Sequence, residues 1–178
     1  MRKTITLAVI AFLLSAFAFG VVVKNIRLSY DFNLVPTDYT ESVVLRVVDG
    51  DTFQCLPVAK DKKVTVRMVG VDTPETVHPN KEVQTGGPEA SRFLKRILNP
   101  GDTVYLTYDK SKYDRYERTL AYVWIKTDRW IMLNLLLVRN GYGIAYIKYK
   151  FNKDYMPIFV SAQEEAKKEK INLWRQNE

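Results

Sequence analysis

Three carboxylates stand where strand-like runs break into turns. Asp51 closes the Asp49-Gly50-Asp51 turn after SVVLRVV, and Asp72 and Glu75 follow the run KVTVRMVGV. Two carboxylates that converge on one point repel each other unless a cation neutralises them. Carboxylate and carbonyl oxygens suit a hard ion of the calcium kind, which accepts six to eight oxygen ligands, waters included. Taken singly, each segment reads first as an ordinary turn or loop start. Glu75 lies in a stretch that Pro74 keeps out of helix, so its carboxylate can approach a metal through a water and is a candidate general base; the alternative is a solvated loop acid. Arg67, between apolar Val66 and Met68, points to one face of a sheet, for catalysis or for a structural ion pair. Arg118 lies in the charged run DKSKYDRYER, where a solvated face is the ordinary reading.

The elements that must position these residues follow from periodicity and turn chemistry. Three β-rich runs, SVVLRVV, TFQCLPV and KVTVRMVGV, are separated by Asp49-Gly50 and by Lys60-Asp61-Lys62-Lys63. After an irregular stretch from Asp72 to Gly87, PEASRFLKRIL places Ala90, Phe93, Leu94 and Ile97 on one helical face. It has Pro88 in the first turn and Asn99-Pro100-Gly101 as its stop. Strand-like DTVYLTY and TLAYVWI come next. WIMLNLLLVRNG reads as a mostly buried helix stopped by Gly141, and YMPIFVSAQEEAKKEK as a terminal helix. Five strands and about three helices predict an α+β domain, mainly β: a small, partly open barrel of the kind whose face and loops hold nucleic acid strands.

With 178 residues, the chain suits one compact domain plus a leader. Arg2 and Lys3 precede an unbroken apolar run from Ile5 to Val23, the layout of an export signal. Residues 1–23 are therefore expected to be a signal peptide, cut near Ala16-Phe17-Ala18, or an uncleaved membrane anchor through residues 5–23. Residues 24–40 read as a linker and 41–178 as the domain. The excess of 27 Lys and Arg over 20 Asp and Glu gives a formal charge of +7, or +5 if the leader is lost before Lys24, and favours a polyanionic partner. The single Cys55 excludes an intramolecular disulfide and a multi-cysteine zinc site, and reads as a small buried hydrophobe. His78 is the only histidine and reads as a solvated loop residue.

Six ordered strings, VVDGDTF, VRMVGVDTPET, GGPEA, YDRYERTLAYV, LVRNGYG and AKKEKINLW, make the chain resemble the staphylococcal nuclease, or thermonuclease, family from Val43 to Trp174. The resemblance implies an OB-fold barrel and calcium-dependent cutting of DNA and RNA that leaves 3′-phosphate ends. It implies calcium held by Asp51, Asp72 and the backbone carbonyl of Thr73, with Glu75 as general base or water orienter. Arg67 and Arg118 match the family's two active-site arginines, which donate to the charged oxygens of a phosphorane; Arg118 also protonates or stabilises the leaving oxygen.

Tyr116 and Tyr146 match tyrosines beside the bound nucleotide, and Arg115 stands where the family has a lysine. Stacking tolerates any base, so low sequence specificity is expected. The chain departs from the pattern in two places: Glu117 stands where glycine is common, and it is one residue shorter near Ile144, leaving Lys148 and Tyr149 as candidates for a second stacking tyrosine's place. A monomer is the expected state. The competing class is a noncatalytic OB-fold module that binds nucleic acid.

Overall fold

In the computed structural model, which describes residues 34–76 and 84–175, the first three β-rich runs form a meander. Strands β1 (Thr40–Asp49), β2 (Thr52–Pro57) and β3 (Val64–Met68) pair antiparallel in sequence order. After helix α1 (Gly87–Ile97), β5 (Thr103–Thr107) returns to the open edge of β1, and β6 (Thr119–Lys126) pairs with β5. Parallel pairing of β6 with β3 closes the five strands into a barrel, as an OB fold requires. Two register breaks in β1, between Val44 and Arg46 and between Val47 and Asp49, bend that strand. It pairs with β2 along most of its length and with β5 at its start.

The barrel is filled by side chains that alternate inward. Phe53 and Cys55 of β2, Val66 and Met68 of β3 and Val104 and Leu106 of β5 are all essentially inaccessible. Cys55 is the small buried group that its apolar neighbours suggested, and burial pushes its thiol up to about 11. Helix α1 buries Ala90, Phe93, Leu94 and Ile97, the face read from its spacing.

Three features depart from the expected order of elements. The apolar run through Val71 is broken by Gly70 at φ +76°, and only Val71–Asp72 (β4) continues, paired with a two-residue strand β8 (Ile144–Ala145). Trp130–Met132, expected as helix, is strand β7 on the edge of β6, and helix α2 spans only Leu133–Arg139. After helix α3 (Met156–Lys168), Asn172–Trp174 forms a 3₁₀ turn.

Fully buried Asn134 explains why α2 starts so close to the sheet. Its Oδ1 accepts from Val123 N–H at 2.7 Å, and its Nδ2 donates to the carbonyls of Val69 and Ala121 at 2.9 and 3.0 Å. A buried amide with its main partners satisfied fixes α2 against β6 and the β3–β4 turn. His78 and residues 1–33, which hold the predicted leader, lie outside the described residues. Among the described residues, no helix is long and apolar enough to cross a membrane.

Candidate active site

Arg67, near the end of β3, stands at the centre of the acidic residues. Its Nη1 lies 2.8 Å from Asp51 Oδ2 and its Nη2 2.6 Å from Asp72 Oδ1, while Nη1 also donates to the carbonyl of Val71 at 2.8 Å. Asp51 follows the β1–β2 turn and is nearly buried. Its carboxylate accepts from Thr52 Oγ1 at 2.9 Å and from the amide of Thr73 at 3.0 Å, and its own carbonyl accepts from Met68 N–H at 3.0 Å. Asp51, Arg67, Asp72 and Thr73 therefore meet in one cluster, because barrel pairing sets Thr52 directly opposite Arg67. The two acids against one guanidinium leave the cluster a net negative charge.

Asp49, which the sequence suggests only as a turn residue, ties the Glu75 segment to this cluster. Its buried carboxylate accepts from Gly50 N–H at 2.8 Å, from Thr76 Oγ1 at 2.5 Å and from Thr76 N–H at 3.2 Å. Glu75 is further held by a reciprocal pair with Gln84: its amide donates to Gln84 Oε1 at 3.0 Å and its carbonyl accepts from Gln84 N–H at 2.9 Å. The segment rests on the start of α1, where a Cβ at Gly87 would stand 2.8 Å from the Pro74 carbonyl oxygen and 2.7 Å from Thr76 Cγ2. Only glycine permits that approach.

Arg118 is positioned by a second carboxylate overlooked in the sequence. Asp114 accepts from Arg118 Nε at 2.7 Å and from the amides of Arg118 and Tyr116, both at 2.9 Å. Burial of Asp114 pushes its carboxyl up, but the hydrogen bonds from Arg118 and Tyr116, with the Arg118 charge, outweigh it and hold the group below its ordinary value. Tyr116 is exposed, with Arg115 stacked on its ring at 4.7 Å and Arg118 at 5.5 Å. Glu117 completes the turn at φ +60°, a left-handed conformation that suits glycine better than an acid. Tyr146 follows β8, its amide bonded to the carbonyl of Gly70 at 2.9 Å, and its ring lies 5.6 Å from that of Tyr149. Of Lys148 and Tyr149, the tyrosine is the one paired with Tyr146.

A family described as staphylococcal nuclease homologue matches residues 65–176, from the second residue of β3 through the 3₁₀ turn at Asn172–Trp174. The chain belongs to this staphylococcal nuclease family. It is 48% identical over 132 residues to a thermonuclease of Staphylococcus hyicus, covering 74% of this chain and 73% of that protein. A thermonuclease of Staphylococcus intermedius is 42% identical over 132 residues, 74% of each chain. Endonuclease YncB of Bacillus subtilis (strain 168) is 38% identical over 130 residues, 72% of this chain and 59% of that protein.

Within this staphylococcal nuclease domain, the donor chemistry at Asp51, Asp72 and Thr73 fits a hard cation. Among the described residues no three His, Cys, Asp or Glu side chains are grouped to hold a metal. Carboxylate and carbonyl oxygens are the donors a hard cation takes, with waters filling its remaining places. The carboxylates of Asp49 and Asp114 could have been suspected from sequence only as Asp residues at the heads of turns.

Proposed function

We propose that the protein is a calcium-dependent phosphodiesterase that cuts DNA and RNA with little sequence preference and leaves 3′-phosphate ends. Its class is that of its family: a nuclease, hydrolysing phosphodiester bonds. The observation that carries the finer reading is the cluster in which Arg67 lies within 2.8 Å of Asp51 and 2.6 Å of Asp72, with Thr73 bonded to Asp51 beside them. In this reading Asp51, Asp72 and the Thr73 carbonyl hold calcium, which when bound supplies positive charge beside the scissile phosphate.

The remaining work falls to this chain's own side chains. Glu75, held by its Asp49-anchored neighbour Thr76, takes the proton of a water as the water oxygen attacks phosphorus. Arg67 and Arg118 donate to the oxygens on which negative charge grows, and their planar forks suit that task better than lysine. The P–O5′ bond then breaks, with Arg118 protonating or stabilising the departing oxygen; that oxygen leaves as a 5′-hydroxyl, and the proton held by Glu75 returns to solvent. Arg115, Tyr116 and Tyr146 grip the neighbouring nucleotide by charge and stacking. We further infer from residues 1–23 that the enzyme is exported, released or tethered by residues 5–23.

The test is cleavage of single-stranded and duplex DNA and RNA with calcium or with a chelator, repeated for Glu75→Gln. Calcium-dependent cutting that falls by about 10²-fold or more in the variant, with folding and DNA affinity kept, is the expected result. Equal cutting by parent and variant would remove Glu75 from the mechanism. A folded parent that binds DNA but never cuts would leave a noncatalytic binding module.

A further inference from the structure

Beyond the residues already assigned to the nucleotide, the loop that carries Arg118 presents a second tyrosine to solvent. Tyr113 is 55% exposed and Tyr116 63%, both large apolar rings that folding leaves uncovered. The backbone under Tyr113 is nevertheless fixed. It forms a β-bridge with Thr119, and the preceding Lys112 carbonyl accepts from Leu120 N–H at 2.9 Å, so the segment lies as an extra short strand along β6. Tyr113 directly precedes Asp114, the carboxylate that orients Arg118, and Thr119 pairs with Val66 beside Arg67. The backbone that carries the ring is thus joined to the start of β6, which follows Arg118 and pairs with the strand of Arg67. Lys112 lies folded over the Tyr108 ring at 4.7 Å, which places its charge on the same stretch, and Lys110 and Arg115 flank it in sequence.

A fixed backbone, an uncovered aromatic ring and cations on the same stretch of chain are what a sequence-tolerant stacking platform for single-stranded nucleic acid needs. We propose that Tyr113, with Lys112, forms an outer subsite that stacks a base of the substrate strand further from the cut phosphate than the base at Tyr116. The proposal rests on the nuclease reading of the adjacent site. It gives the enzyme a preference for longer strands, because only a strand that reaches past Tyr116 meets Tyr113.

The experiment compares the full-length parent, Tyr113→Ala and Tyr113→Phe on a dinucleotide and on a single-stranded decamer with calcium. Binding of a labelled decamer is measured in the Glu75→Gln background. Tyr113→Ala is expected to raise KM and Kd for the decamer about fivefold or more, the lower end of what a base-stacking aromatic contributes. Its kcat, and all its constants on the dinucleotide, stay at the parent's values, and Tyr113→Phe behaves as the parent because stacking needs the ring and not the hydroxyl. An unchanged decamer KM and Kd in Tyr113→Ala would overturn the proposal, as would an equal change on the dinucleotide. If the parent cut neither strand, the nuclease reading would fall while the decamer Kd would still decide on Tyr113.

Discussion

Replacing Asp114 with alanine should slow the enzyme through Arg118 without touching Arg118 itself. The Asp114 carboxylate accepts three hydrogen bonds, from Arg118 Nε at 2.7 Å and from the amides of Tyr116 and Arg118 at 2.9 Å. A hydrogen bond to a charged group contributes about 1.5–3 kcal/mol, and an amide bond about 0.5–1.5. The Arg118 side chain is 32% exposed, so water replaces part of what is lost, and a stability loss of about 2 kcal/mol is expected. Catalysis should suffer separately. Removing a transition-state donor outright costs about 10²–10³ in kcat, which sets the ceiling for Arg118→Ala. Asp114→Ala keeps the guanidinium but frees its orientation, so a loss of roughly tenfold in kcat is expected, within that ceiling. Steady-state cleavage of one defined oligonucleotide, for both single variants and the double, measures this. If Asp114 acts through Arg118, the double variant is no slower than Arg118→Ala. Independent losses that multiply in the double variant, or an Asp114→Ala kcat within twofold of the parent, would refute the reasoning.

The same carboxylate gives a pH dependence. Its folded value is depressed, so its stabilisation is fully present above the ordinary carboxylate range and is lost only as pH falls through the lower folded value. The gap in melting temperature between parent and Asp114→Ala should therefore persist from neutral into mildly acidic solution and close only in strong acid. Glu117→Gly should relieve a left-handed backbone worth about 1 kcal/mol and add unfolded-chain entropy of similar size, so thermal melting should show a change of only a few degrees, upward if strain dominates. In cleavage assays Glu117→Gly and Glu117→Gln should both lower KM, because both remove an acid beside Arg118, which is proposed to donate to the phosphate. Thr76→Val removes the 2.5 Å donation to Asp49 and should reduce kcat in the same assay with little change in KM. Arg139, nearly buried, makes two bonds to Glu169 at 2.9 and 3.0 Å and an ion pair with Glu165 at 3.3 Å. Arg139→Ala should destabilise by about 2 kcal/mol in denaturant titration, below the range for fully buried pairs because both glutamates keep partial exposure.

The parts of this protein that could be read from sequence are those whose cause is local. The Asp49-Gly50 turn, Pro88 at the start of α1, the helical face of Ala90, Phe93, Leu94 and Ile97, and the stop at Gly141 each follow from a few neighbouring residues, and each is found in the structure. What escaped is non-local. The two-residue strand β4 exists only because β8, far along the chain, supplies its partner. Trp130–Met132 has side chains equally at home in helix or strand, and the free edge of β6 decides in favour of strand.

The site divides along the same line. The residue types at Asp51, Arg67, Asp72, Glu75 and Arg118 announce their chemistry, but Asp49 and Asp114 look like turn formers until the partners of their oxygens are known. Asp49 reaches Thr76 across the β1–β2 turn, and Asp114 gathers two amides and a guanidinium within one loop. Each carboxylate fixes a segment bearing a group proposed to act on the phosphate, Glu75 in one case and Arg118 in the other. Parallel pairing of Val66 with Thr119 sets Arg118, the residue before Thr119, next to the strand that carries Arg67. In the proposed mechanism the fold therefore uses two further acids, Asp49 and Asp114, to hold the loops that carry the acting groups.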